Sequence, residues 1–165
     1  MPVAIRQLEE ADLPFLQQML YEALMWRPDA ERYPLELVLG HPEVTRYHEG
    51  WGRPGDIALL AEDGDTPVGL VWYRLFTEDD HGEGYVDPET PELAIAVVDG
   101  RRGEGIGRAL LAAAAERARA DGASRLALSV DHDNPAKQLY ARLGYEEYEP
   151  DDGLGRMVLD LAPAR

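Results

Sequence analysis

The chain has 165 residues, 32 Asp+Glu against 16 Lys+Arg for a formal net charge of −16, and no cysteine. This length suits one domain whose core needs no disulfide or structural metal. Zero cysteine excludes a disulfide scaffold, a thiolate nucleophile and any Cys-ligated zinc or iron–sulfur site, and the acidity argues against nucleic acid and anionic membranes, which need clustered Lys/Arg.

The apolar fraction of 45% is ordinary for a globular chain. No internal repeat, linker or charge block divides residues 1–165, so they read as a single domain. Acids stand in the opening MPVAIRQLEEADL where a signal peptide would be apolar, and no apolar run reaches spanning length. The expectation is a soluble, cytoplasmic protein.

Helix and strand signals alternate along the chain. Val3–Arg6 is a short strand. A helix begins after Asp12, with Leu13, Leu16, Leu20 and Leu24 three and four residues apart. Leu35–Leu39 is a short helix between Pro34 and Pro42, and residues 40–56 have loop composition. Ile57–Ala61 and Val68–Phe76 form an antiparallel hairpin around Gly64–Asp65–Thr66–Pro67. After an acidic, turn-rich stretch, Leu93–Val98 is apolar throughout, as a buried central strand requires. A helix follows over Glu104–Ala120, with Ile106, Leu110, Ala113 and Ala114 inward and Gly122 as its stop. Leu126–Val130 is a strand. Asn134–Leu143 is a helix with Asn134 at the N-cap, Pro135 at N1 and Gly144 at C′. Tyr145–Tyr148 and Met157–Leu161 are the last strands. The order is β-α-α-β-β-β-α-β-α-β-β, a mixed sheet covered by helices.

The most informative stretch is Leu93–Leu111, LAIAVVDGRRGEGIGRALL. Here a buried strand runs through glycines into a helix. Glycines at a helix mouth let the backbone approach a bulky anion, and the free N–H groups of the first turn then point at it. Arg101, Arg102 and Arg108 cluster positive charge there, so a phosphate or pyrophosphate is the implied ligand. A P-loop is excluded because no Lys-Ser/Thr follows the glycines. A dinucleotide fingerprint is excluded because Arg108 and Leu110 stand where its third glycine would be.

The spacing Arg102-x-x-Gly105-x-Gly107 resembles the acyl-CoA signature of the GCN5-related N-acetyltransferases (GNAT). Downstream, LALSVDHDNPAKQLYARLGY carries Asn134, Ala136, Tyr140, Gly144 and Tyr145 in that family's strand-then-helix frame. The resemblance covers Val3 to Leu161. It implies an α/β fold of the GNAT type, with a central mixed, mostly antiparallel sheet of six to seven strands flanked by about four helices. It also implies acetyl-CoA as cosubstrate. The N–H groups of Arg102, Gly103, Gly105, Ile106, Gly107 and Arg108 would hold the pyrophosphate, with the Glu104 side chain turned to solvent. The edge of Ala96, Val97 and Val98 would pair with the pantetheine arm, and Leu126–Val130 would splay away to admit it. Asn134 and Ala136 would lie against the arm, Asn134 serving as a helix cap, a cofactor contact or both.

By the same resemblance Tyr140 is the general acid for the departing thiolate, against a plain reading as a half-buried core tyrosine. For the general base, Glu92 heads the central strand. It reads equally as an exposed strand-entry carboxylate. Asp131 and His132 follow the next strand, where turn chemistry also explains them, and positioning alone supplies much of the rate without a base. The acceptor site falls to Leu24–Asp56, Thr77–Pro91 and the turn around Asp151–Gly155. Trp26, Tyr33, Tyr47, Trp51, Trp72, Tyr73 and Tyr85 are its candidate walls, of which Trp72 and Tyr73 point to opposite faces of a strand. His41, His48, His81 and His132 lack metal-ligand spacing, so no metal is expected. The leading reading is direct acetyl transfer to a primary amine of a small molecule or peptide. The alternatives are a non-catalytic acyl-CoA-binding or sensing module and a dimer-forming domain with a vestigial site. Homodimers are common in the family it resembles, which makes a homodimer a candidate assembly, and no interface can be read from the sequence.

Overall fold

The computed structural model describes residues 3–161. Seven strands form one sheet: β1 (Ala4–Gln7), β2 (Ile57–Asp63), β3 (Thr66–Arg74), β4 (Glu92–Val97), β5 (Arg125–Ser129), β6 (Glu146–Glu147) and β7 (Arg156–Asp160). Their spatial order is β1-β2-β3-β4-β5-β7-β6, and only the β4–β5 pairing is parallel. The helices are α1 (Leu13–Leu24), α2 (Leu35–Leu39), α3 (Pro42–Thr45), α4 (Ile106–Ala120) and α5 (Ala136–Arg142).

The expected order holds, with α3 as one helical turn more. Residues 42–45 read as loop because Gly40 and Gly50 flank them. Pro42 at N1 and the His41 Nδ1, which accepts from the Glu43 N–H at 3.2 Å, start a helix too short to show a period. Strand ends move by one or two residues, since side-chain alternation does not mark where a ladder stops. In α1 the buried stripe is Leu16, Met19, Leu20 and Tyr21, while Leu24 is exposed. In α4 it is Ile106, Leu110, Leu111, Ala114 and Ala118, with Ala113 half-buried.

Alternation along β2 and β3 splits the core in two. Leu60, Leu70 and Trp72 face α1, where they pack with Leu16, Met19 and Leu20. Leu59, Val71 and Tyr73 face α4 and α5. Trp72 and Tyr73 are both buried core residues, on opposite faces as expected.

A buried ion pair fastens residues 46–56 to this sheet. The Arg74 Nε and Nη2 donate to the two Asp56 oxygens at 2.8 and 2.7 Å, and Nη1 donates to the carbonyls of Arg46 and Glu49. Both side chains are almost fully enclosed, at 2% and 1% exposure. Asp56 also accepts from the N–H groups of Gly52 and Arg53, so no charge in the pair is left without partners.

Candidate active site

β4 and β5 are the fourth and fifth strands of seven, yet they pair at one position, Glu92 with Ala127, joined by the Ala127 N–H donating to the Pro91 carbonyl at 3.0 Å. Beyond that point they separate. Ala94 to Val98 are only half-buried although β4 lies mid-sheet. The cleft opens between Ala94–Val98 and the end of β5, its apex is at Glu92, and its mouth leads to the N-terminus of α4.

That mouth is lined with unfilled donors. Gly100, Gly103 and Gly105 take positive φ of 86°, 81° and 85°, which other residues adopt only with strain. Gly105 is the N-cap and offers no side-chain acceptor. The first bond of α4 is Ala109 N–H to the Gly105 carbonyl, and the N–H groups of residues 102–108 have no acceptor among the described residues. Such a row at the positive end of a fifteen-residue helix attracts a polyanion. Arg102 and Arg108 are exposed beside it and make no ion pair among the described residues. Arg101 differs from the expectation: it is held by Asp63 and Glu104.

On one side of the cleft stands α5. Pro135 already has helical angles, and the Asn134 Oδ1 accepts the Ala136 N–H at 2.9 Å, so Asn134 caps the helix as expected. Its side-chain amide N–H groups have no partner among the described residues. Ala136 packs half-buried against the same core as Tyr140. Tyr140 is buried, its ring 5.8 Å from that of Tyr145 at 57°. Burial pushes its phenol up to about 12. The Tyr145 hydroxyl is sealed without a partner. The Tyr140 hydroxyl is not among those sealed groups, and no hydrogen bond occupies it among the described residues.

At the apex the structure sets aside one reading of Glu92, that of an exposed carboxylate at the strand entry. The residue is 8% exposed, so it is not a surface strand-entry carboxylate. The Tyr47 hydroxyl donates to its Oε2 at 3.0 Å, while its Oε1 is buried without a hydrogen-bond partner among the described residues. Burial pushes the carboxyl up to about 7, with the Tyr47 hydroxyl, the Gly84 backbone, and the charges of His81 and Arg46 pulling the other way. Residues 82–84 lie directly on this pair. A Cβ on Gly84 would sit 2.9 Å from the Glu92 Cγ, and one on Gly82 would overlap the Tyr47 hydroxyl. A buried carboxyl with one oxygen uncommitted and a titration near neutrality can take up and release a proton.

The other base candidates are placed differently. Asp131 is exposed and accepts from the Trp26 Nε1 at 3.0 Å, with Arg27 3.5 Å away. His132 is exposed, beside a cavity of about 280 Å³ that Asp131, Glu83, Lys137 and Arg156 also line. Among the other expected walls, Tyr85 stacks on His81 at 4.2 Å, Trp51 lies under Arg74, and Tyr33 is half exposed. Tyr47 appeared in the sequence only as a candidate wall. Its role beside Glu92, and the need for Gly82 and Gly84, depend on contacts between distant segments. Among the described residues no cluster of three metal-ligating side chains occurs, and no helix is long and apolar enough to cross a membrane.

Known proteins share this fold. A mycothiol acetyltransferase of Saccharopolyspora erythraea is 28% identical over 88% of this chain and 44% of its own length. The chain therefore spans under half of that curated relative. A ribosomal-protein-alanine N-acetyltransferase of Brucella melitensis is 29% identical and superimposes with a TM-score of 0.64, covering 88% of this chain and 85% of its own. A second Brucella melitensis structure, a GNAT acetyltransferase solved in complex with acetyl-CoA, shares the fold at 20% identity and a TM-score of 0.64, over 99% of this chain and 91% of its own. The acetyltransferase (GNAT) family model matches residues 16–145, and the chain belongs to that family.

Proposed function

We propose that the protein transfers an acetyl group from acetyl-CoA directly to the primary amine of a small molecule or peptide. The observation that carries this is the β4–β5 cleft, closed at Glu92 and opening onto the unfilled N–H groups of residues 102–108. Those groups, with Arg102 and Arg108, fit a pyrophosphate. The free edge of Ala96–Val98 fits an amide-bearing arm laid along it as an added strand, and the uncommitted amide of Asn134 adds a donor beside it. When bound, acetyl-CoA supplies the activated thioester.

This chain's residues supply the proton transfers. An amine attacks only in its neutral form. Glu92, whose uncommitted oxygen is sealed from solvent, takes through an intervening water the proton that the amine gives up as its C–N bond to the acetyl carbon forms. Tyr140 gives its phenolic proton to the sulfur as the C–S bond breaks, and its protonation at neutral pH suits that role. Glu92 is on the α1 face of β4, opposite to Leu93, and Tyr140 is in the core on the other face. The two therefore flank the cleft from opposite sides, as an attacking and a departing group require. With no cysteine, no acyl-thioester relay through the chain is available.

The relatives' names span a mycothiol acetyltransferase and a ribosomal-protein-alanine N-acetyltransferase, so both small amines and N-terminal alanine peptides belong in the assay. Release of free CoA from acetyl-CoA is measured against amino sugars, amino acids and such peptides. Turnover with at least one class is the expected result. Acetyl-CoA binding without turnover of any amine makes the chain a binding module, and no binding at all overturns the proposal.

A further inference from the structure

Arg101 stands in the anion-binding loop but is not free to meet an anion. Its Nε donates to Glu104 Oε2 and Oε1 at 2.9 and 3.2 Å, and its Nη2 donates to Asp63 Oδ2 at 3.2 Å. Asp63 ends β2, so the guanidinium ties the loop to the β2–β3 hairpin while holding a loop carboxylate. One positive and two negative charges leave this trio net negative.

Glu104 directly precedes the Gly105 N-cap, within the run of unfilled N–H groups. A carboxylate there is itself an anion that those donors and the helix dipole attract. Left unrestrained, it would fill the donors a phosphate needs and repel that phosphate. We propose that Arg101 is a positioning residue that draws Glu104 away from the mouth of α4 and keeps the donors of residues 102–108 open. This rests on the reading of that mouth as the CoA pyrophosphate site. The charge that faces the ligand is then that of Arg102 and Arg108, and Arg101 acts through Glu104.

The test is a double-variant cycle on the full chain, read by calorimetric titration with CoA and by the KM for acetyl-CoA. Arg101→Ala is expected to weaken CoA about tenfold, raising KM with kcat changed by less than about twofold. Glu104→Gln alone stays within about threefold of the parent protein. Arg101→Ala combined with Glu104→Gln returns to within about threefold, a rescue that general damage to the loop would not show. Arg101→Gln replaces Arg101→Ala if melting shows that the alanine variant does not fold. A double variant as weak as Arg101→Ala overturns the proposal and makes Arg101 a direct phosphate ligand or a purely structural tie. An unchanged Arg101→Ala overturns it too. If the parent protein fails to bind CoA, the pyrophosphate reading itself falls, whatever the variants do.

Discussion

The Tyr47 hydroxyl donates to Glu92 Oε2 at 3.0 Å, across 45 residues of sequence, and leaves Oε1 as the uncommitted oxygen of a buried carboxyl. Its own phenol is pushed well above the usual range by burial and by the Glu92 charge, so it remains a donor throughout the working pH range. The hydrogen bond favours the ionised carboxylate and offsets part of the burial.

Tyr47→Phe therefore moves Glu92 further up from about 7. A base works in its ionised form, so the acid limb of the pH–rate profile shifts to higher pH by roughly one unit, the size expected for losing one hydrogen bond to a charged group. Activity at pH 7 falls several-fold and recovers at pH 9. An unmoved limb separates Tyr47 from the proton-accepting group.

Glu92→Gln removes the proposed base and a buried ionisable group together. Turnover is expected to fall at least about 100-fold, while CoA affinity is kept. Stability moves the other way. Burial raises this carboxyl from 4.5 to about 7, so between those values the folded chain holds a proton that the unfolded chain has released. The parent protein loses that contribution as pH rises through 7. Glu92→Gln does not titrate, so its melting temperature should exceed the parent's by more at pH 8 than at pH 5. Equal differences at the two pH values would contradict the raised titration.

Gly82→Ala tests the loop on top of this pair. The added Cβ would lie 2.9 Å from Glu92 Oε2 and would overlap the Tyr47 hydroxyl. Neither neighbour can give way without breaking the hydrogen bond. A loss of about 1–3 kcal/mol in denaturant unfolding is expected, with activity reduced at least as much as in Tyr47→Phe. Full activity would mean that residues 82–84 do not hold Glu92.

The local parts of this architecture are legible in the sequence. Leu35–Leu39 has its predicted ends because Pro34 and Gly40 bound it, and Asn134-Pro135 announces its own cap. The glycines at 103 and 105 announce a positive-φ loop before a helix. Charge and exposure are less legible, because distant partners set them. Arg101 counts as phosphate-facing charge until Asp63, 38 residues earlier, is found beside it. Glu92 looks equally like a surface acid until Tyr47 and residues 82–84 are folded over it. The divergence of β4 from β5 leaves no mark of its own on the apolar run Leu93–Val98, which reads as an ordinary buried strand.

Asp56→Ala tests the fastening that delivers Tyr47 to the site. It leaves the Arg74 guanidinium buried without its carboxylate and frees the N–H groups of Gly52 and Arg53. Breaking one side of so enclosed a pair costs about 3–5 kcal/mol, measured by denaturant unfolding. Arg74 also holds the carbonyls of Arg46 and Glu49, on either side of Tyr47. The variant should therefore lose the Tyr47–Glu92 contact before it loses the fold. At temperatures where it is still folded, its pH–rate profile should show the same upward shift of the acid limb as Tyr47→Phe, and adding Tyr47→Phe to it should shift the limb no further. Additive shifts would mean that the ion pair supports the fold without setting the position of Tyr47.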